Sequence, residues 1–275
     1  MKHLKIIGNG EAFSATNGNT SFLLAADTTD LNKGNHILID CGYQIPQRLW
    51  LENDHDALDL ILLTHFHADH AFGVVPLLVR YLEEKRTRPL HIWGPEGVEK
   101  FVYDILELGY PGVARFFKYS LEFKEMKPLD DMYFVDVRIR CAPTIHSIPN
   151  LMYRLDFETG SFSVSGDGKL TDQAFELIKD VGIHFQETYE LEDRIPSHCS
   201  FEEVLRLHQA NQAQSIGITH IARHAIAPME KAFAQYITDK QFVTDRQFVT
   251  DKQHVTDNKV NGSLFMTHPG QRFNF

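Results

Sequence analysis

The sequence predicts an α/β fold built in layers, and three observations carry that prediction. Short apolar strands bounded by turn residues alternate with segments whose apolar residues recur every three or four positions. One strand, Leu58-Asp59-Leu60-Ile61-Leu62-Leu63-Thr64, is almost continuously apolar, the mark of a strand covered on both faces. The 43% hydrophobic content of the 275 residues lets one domain, residues 1–275, bury a substantial core.

Taken in order, residues 3–9 form a strand that stops at the turn Gly8-Asn9-Gly10. Residues 20–26 and 36–40 give two more strands, the second closed by Cys41-Gly42, and residues 44–53 read as a helix. After the apolar strand, residues 70–85 read as one helix, because Val74, Leu77, Leu78, Tyr81 and Leu82 share three- and four-residue spacing. Residues 90–95 are a strand and 96–108 a helix. Residues 115–140 hold further strands, among them 134–140 by clean alternation. A hairpin pairs 152–157 with 161–165 around Glu158-Thr159-Gly160. Residues 171–179 are helical and 182–185 a strand. Ser200 and Glu203 form a capping box that opens a helix, and 215–219 is a strand running into His220.

Near the C-terminus a hexapeptide repeats over residues 237–257, with Thr-Asp recurring at Thr238, Thr244, Thr250 and Thr256. A period of six keeps equivalent residues on one face of an extended chain. On a helix each step turns by about 240°, so the valines form no stripe. The repeat reads as a polar surface segment dispensable for chemistry.

The formal net charge of −10 disfavours a general nucleic-acid-binding surface, so extended nucleic-acid binding is not expected. Cys41, Cys141 and Cys199 are odd in number and lack CxxC pairing, which fits a reducing compartment. The N-terminal apolar run is too short for a signal peptide, and no stretch reaches the length of a membrane span. The expected location is the cytoplasm, with no membrane partner.

The stretch that carries chemistry is His65-Phe66-His67-Ala68-Asp69-His70, directly after the apolar strand. Imidazole nitrogens and carboxylate oxygens are the usual ligands of a catalytic divalent ion. His65 and His67 are two apart, so an extended backbone points both to one side, and a turn at Asp69-His70 can aim the next pair at a neighbouring point. One loop could thus serve two metals, the arrangement suited to in-line displacement at phosphorus. A histidine-rich surface loop would also contain such residues, but not at this spacing behind a buried strand.

These residues resemble the HxHxDH signature of the metallo-β-lactamase-fold hydrolases, over roughly residues 3–230. The resemblance implies a four-layer αββα sandwich with two divalent metal ions: zinc by ligand type, with manganese or iron as alternatives. Carried over residue by residue, His65, His67 and His146 would hold the first metal, Asp69, His70 and His220 the second, and Asp167 would bridge. Leu90-His91-Ile92-Trp93-Gly94-Pro95 is similar to a segment of the ribonuclease Z-like branch. Phe185-Gln186-Glu187 and Ser197-His198-Cys199-Ser200 are similar to that branch's acidic and histidine loops. The likeness implies that His198, held by Glu187, assists the leaving group, while Asp69 also orients the attacking water. His184 and His224 are expected in the core or behind the ligands.

Two departures separate the chain from ribonuclease Z proper. Only twenty residues lie between His146 and Asp167, with no long basic arm for transfer RNA, and the N-terminal turn lacks the expected basic residue. The expected activity is a phosphodiesterase of small-molecule or nucleotide substrates. The alternatives are hydrolysis of another ester class (lactone, thioester or β-lactam), ribonuclease Z-type cleavage of tRNA 3′ ends, and a binding protein without turnover. A second copy of the chain, in a homodimer, is the expected protein partner.

Overall fold

The computed structural model describes residues 2–26, 36–52, 54–210, 212–241 and 263–275. The first half runs β1 (Lys2–Gly8), β2 (Ser21–Ala26), β3 (His36–Ile39), α1 (Ile45–Glu52), β4 (Leu58–Leu62), α2 (Ala68–Ala71), α3 (Val74–Glu83), β5 (Leu90–Gly94), α4 (Val98–Gly109) and β6 (Leu121–Glu125). The second half runs β7 (Asp131–Phe134), β8 (Val137–Ile145), β9 (Leu151–Phe157), β10 (Gly160–Val164), β11 (Lys169–Leu170), α5 (Asp172–Leu177), β12 (Ile183–Glu187), α6 (Phe201–Gln209), β13 (Ser215–Thr219), α7 (Ile226–Gln241), β14 (Ser263–Met266) and β15 (Arg272–Asn274). Among the described residues these strands make two mixed sheets. One has the order β15-β1-β2-β3-β4-β5-β6; the other has β11-β8-β9-β10-β12-β13-β14, with β7 beside β8.

Three apolar cores define four layers. The central core lies between the sheets and joins Leu4, Phe22, Ile37 and Leu60 of the first to Ile139, Tyr153, Phe162 and Phe185 of the second. A second core packs the outer face of the first sheet (Leu38, Ile61, Ile92) against Leu49 of α1, Leu77 of α3 and Val102 of α4. A third packs Met152, Ile216 and Ile218 of the second sheet against Ala174 of α5, Val204 of α6 and Met229 of α7. Alternate residues of Ile37-Leu38-Ile39 and Leu60-Ile61-Leu62 fall in different cores, which is why these strands read as unbroken apolar runs. The expected four-layer αββα sandwich is therefore present. No helix among the described residues is long and apolar enough to cross a membrane.

Several local expectations are corrected. The helix expected over 70–85 starts earlier and is broken: α2 ends at Ala71, and α3 begins after Gly73. The Gly73 N–H is committed to the Cys41 carbonyl at 2.8 Å, so the chain leaves one helix to anchor the loop before starting the next. The strand expected over 134–140 is interrupted near its start: Phe134 closes β7, residues 135 and 136 turn, and 137–140 open β8. Val135 sits at φ 53°, and Phe134 pairs with Val137. Alternation continued through a tight turn that β-branched Val135 does not advertise. The expected strands of 115–140 are β6, β7 and the start of β8, preceded by a short 3₁₀ turn at Val113–Phe116. Of the hexapeptide repeat, 237–241 close α7, and the remainder lies outside the described residues. Beyond it, β14 pairs with β13 in one sheet and β15 with β1 in the other, two strands that sequence periodicity did not single out.

Candidate metal centre and hydrolytic site

The site sits where β4 ends. Its exit is pinned from both sheets. Leu63 N–H donates to Trp93 O at 2.8 Å, Leu151 N–H to Thr64 O at 2.9 Å, and the Tyr153 hydroxyl to Leu63 O at 3.0 Å. The next turn, α2, is seated on the end of β3 by Cys41 N–H to His70 O at 2.7 Å. Gly42 makes this approach possible, because a Cβ there would collide with the Asp69 carbonyl. Asp167 lies in the turn between β10 and β11, where Gly168 takes φ 101°, open chiefly to glycine. His146 follows β8 and His220 follows β13. His220 itself holds φ 56°, a left-handed backbone that costs a histidine about 1–2 kcal/mol. Its N–H donates to Asn9 O at 2.9 Å, which ties it to the turn after β1.

The structure brings together all seven residues expected as ligands. Ligand-type atoms of His65, His67, His146 and Asp167 lie within 4.8 Å of one another, and those of Asp69, His70 and His220 do the same. Asp167 touches both groups. Its Oδ2 lies 3.9 Å from His65 Nε2, 4.0 Å from His146 Nε2 and 3.4 Å from His220 Nε2, and its Oδ1 lies 3.3 Å from His70 Nε2. Asp69 Oδ2 lies 3.4 Å from His70 Nε2 and 3.9 Å from His220 Nε2.

The hydrogen bonds behind the rings assign their tautomers. Thr64 Oγ1 gives its proton to the Asp40 carboxylate at 2.8 Å, so at 3.0 Å it accepts from His65 Nδ1. Thr20 Oγ1 donates to Gly10 O, so it accepts from His220 Nδ1 at 3.1 Å. His146 Nδ1 donates to Ser197 O at 2.8 Å, and His70 Nδ1 to Asp40 Oδ2 at 2.7 Å. Four Nε2 atoms therefore face the centre, joined by His67 Nδ1 at 3.1 Å from His65 Nε2 and 3.2 Å from His146 Nε2. His70 Nε2 and Asp167 Oδ1 are buried without a hydrogen-bond partner.

Electrostatics point the same way. Burial, assisted by the charge of His70, drives His65 well below the ordinary imidazole range; burial also lowers His67 and His146. Burial would lower His70 too, but Asp167, Asp40 and Asp69 outweigh it and raise that ring well above the ordinary range. Burial would raise Asp167, yet His220 and His70 hold it well below the usual carboxylate range. Converging nitrogen lone pairs around an ionised, buried carboxylate call for positive charge at the centre. The donor set of five imidazoles and two carboxylates, backed by hydrogen bonds that orient the rings, fits divalent metal ions.

Beside this cluster lies the outer pair. His198 Nδ1 is 2.6 Å from Glu187 Oε1, and Glu187 Oε2 accepts Cys199 N–H at 2.8 Å and Gly168 N–H at 3.3 Å. Burial raises Glu187, opposed by its bond to His198. Burial would lower His198, but the Glu187 hydrogen bond and charge raise it above the ordinary histidine range. The His198 ring packs 5.1 Å from that of His146 and stacks on Tyr189 at 4.4 Å.

Sequence reasoning missed the supports: Asp40, Thr64, Thr20 and Tyr189. Asp40 had a signal, being an acidic residue that closes an apolar strand just before Cys41-Gly42, where a ligand histidine needs an acceptor for its second nitrogen. His184 is buried as expected, bonded to Ser163 and Gln186. His224 is not in the core: its side chain is 69% exposed and bonds Glu190 at 2.6 Å.

Comparison with known proteins adds the family context. The model of the family described as "Anti-Pycsar protein Apyc1" matches residues 2–247. Ribonuclease Z of Clostridium acetobutylicum is 33% identical over 164 residues, 56% of this chain and 49% of that protein; the chain thus spans about half the length of the curated relatives it matches. Two solved structures superpose on nearly the whole chain. The metallo-β-lactamase fold protein YhfI from Bacillus subtilis has a TM-score of 0.73 at 16% identity, covering 99% of this chain and 98% of its own. The short form of human tRNase Z gives the same values. The fold is the metallo-β-lactamase fold.

Proposed function

This chain belongs to the family of the anti-Pycsar protein Apyc1, and we propose that it is a dinuclear metal-dependent phosphodiesterase of small, nucleotide-type diesters. The observation that carries this reading is the Glu187–His198 pair set beside a seven-residue ligand cluster. Hydrolysis of an acyl bond at a dinuclear site does not need that outer proton donor, whereas expulsion of a sugar alkoxide from phosphorus does.

In this reading His65, His67 and His146 would hold the first ion, Asp69, His70 and His220 the second, and Asp167 would reach both groups. Zinc suits the donors best, with manganese or iron as the alternatives that elemental analysis distinguishes. Two such ions supply a water ionised near neutral pH and positive charge for the phosphoryl oxygens. Asp69 would accept a hydrogen bond from the attacking water and orient it in line with the leaving group. His198 donates a proton to the departing oxygen, and Glu187 holds its ring in place. The three cysteines are free and buried, which suits a cytoplasmic protein. Assembly as a homodimer would cover exposed Tyr103, Leu108 and Tyr110 on and beside α4.

Ribonuclease Z-type cleavage is the second reading, favoured by the curated relatives. Against it stands the segment between His146 and Asp167. Among the described residues it is the plain β9–β10 hairpin, with Phe157 paired to Gly160, and it leaves no room for a basic arm.

The test is elemental analysis of the purified protein with a substrate panel: a cyclic nucleotide, bis-p-nitrophenyl phosphate, a lactone, a β-lactam and a 3′-extended tRNA. Two ions per chain and turnover of the small diesters are expected, and Asp167→Ala should lose at least one ion with the activity. Cleavage of the lactone or β-lactam with no diester cleaved would overturn the reading, and cleavage of the tRNA alone would favour the second.

A further inference from the structure

The turn after β1, which accepts the His220 N–H, leads to an exposed aromatic ring in a fixed setting. Phe13 is 70% exposed, and the Arg223 guanidinium lies 5.1 Å from its ring centroid. Both are held by one carboxylate. Glu11 Oε2 accepts the Phe13 N–H at 2.8 Å, and Glu11 Oε1 bonds Arg223 Nη1 at 3.1 Å. The Glu11 side chain is only 2% exposed. Burying a carboxylate is costly unless it is paired and hydrogen-bonded, and here both oxygens are engaged, one by the backbone amide of Phe13 and the other by the cation laid against its ring. Such a ring adds little to folding, since most of it stays in water.

The position of this assembly ties it to the metal centre. Gly10 bridges to Ile221, the residue after His220, and Asn9 O accepts the His220 N–H. The Thr20 hydroxyl that bonds His220 Nδ1 also donates to Gly10 O. From the other side, Ala222 N–H donates to Tyr189 O at 3.1 Å, and the Tyr189 ring stacks on His198. The segment bearing Phe13 and Arg223 thus continues directly from a ligand of the second group and from the support of the outer histidine.

We propose that Phe13, braced by Arg223 and Glu11, is the platform on which the planar base of a nucleotide diester stacks while its phosphate lies at the metal centre. The inference rests on the phosphodiesterase reading and names the part of the substrate which that reading left open. A base stacks on the phenyl face opposite the guanidinium, gaining the sequence-tolerant attraction of ring on ring. Arg223, held by Glu11, lies against the ring and polarises it from behind. Selectivity would then follow the presence of a base, and only weakly its identity.

The experiment compares a cyclic nucleotide with methyl p-nitrophenyl phosphate, which has the diester but no base. Phe13→Ala should reduce the ratio of kcat/KM for the nucleotide over the simple diester on the order of tenfold, mainly through KM, and Phe13→Trp should retain the ratio. The tryptophan is also a direct probe: in Phe13→Trp, titration with a nucleoside monophosphate should quench a fluorescence component that wild-type protein lacks, and titration with inorganic phosphate should not. Glu11→Gln should weaken the discrimination in the same direction by freeing Arg223. An unchanged ratio in Phe13→Ala together with a silent tryptophan would overturn the platform even if the enzyme cleaves diesters. Failure of wild type to cleave either diester would instead overturn the phosphodiesterase reading, and the fluorescence titration would still decide whether a base binds there.

Discussion

Removal of the His198 imidazole is the most discriminating perturbation of the proposed chemistry. Its Nδ1 is committed to Glu187 Oε1 at 2.6 Å, so Nε2 is left to carry a proton to the leaving group. The carboxylate behind it is fully buried and fixed by the Cys199 and Gly168 amides, and the ring is flanked by Tyr189 and His146. Burial would lower the His198 pKa, but the Glu187 hydrogen bond and charge raise it above the ordinary histidine value, the direction that suits a proton donor. A positioned general acid contributes about 10²–10⁴-fold when the leaving group needs a proton, as a sugar alkoxide does and p-nitrophenolate scarcely does. His198→Ala should therefore slow a cyclic or alkyl nucleotide diester by about 10²–10⁴-fold and bis-p-nitrophenyl phosphate far less, with metal content unchanged. Glu187→Gln should show the same pattern more mildly. Steady-state kinetics on both substrates, with elemental analysis of each variant, is the assay. Equal slowing on both would mean that His198 positions substrate or supports the metals. No slowing on either would remove its role in proton transfer altogether.

Three further outcomes are expected. Asp40→Asn should weaken metal binding by about 10–100-fold in chelator competition, because it removes the carboxylate that orients both His70 and Thr64. Asparagine tolerates the φ of 59° at this position, so unchanged affinity would mean that the charge of Asp40 is not needed. Excision of residues 242–257 that leaves β14 and β15 in place should preserve folding, metal binding and turnover on a small diester. Retained metal with lost turnover would contradict this, whereas truncation after 241 should destabilise the fold by removing buried Phe273 and the Asn9–Thr267 bonds. Burial lowers the His184 ring to about 4, against about 6.5 when unfolded, so the unfolded chain binds the extra proton between those values. That contribution to stability is complete above about pH 6.5 and falls by up to about 3 kcal/mol towards pH 4. Urea unfolding at pH 7 and pH 5 should accordingly show a shallower pH dependence in His184→Gln than in wild type, and identical slopes would refute the assignment.

Much of the candidate ligand set was legible because its chemistry is written locally. His65, His67, Asp69 and His70 stand at fixed spacing behind an apolar strand, and backbone geometry alone turns such a spacing into convergent side chains. His146, Asp167 and His220 were legible through the resemblance to the metallo-β-lactamase-fold hydrolases, whose ligand order these residues at strand ends match. A layered α/β fold was legible because residues 58–64 are apolar on both faces, while the count of four layers came from the resemblance.

Only the tertiary structure decided the rest, because those features depend on contacts between residues far apart in the chain, which periodicity does not encode. Thr20 reaches His220 across 200 positions, and β15 returns to β1 from the far end of the chain. The break in the helix after α2 was set by the Cys41 carbonyl taking the Gly73 N–H, a partner that spacing along a helix cannot show. The turn at Val135 was set by hairpin pairing against the local preference of a β-branched residue. For the same reason Asp40 looked like the end of a strand until folding placed it against His70. There it became the acceptor that determines which ring nitrogen faces the centre.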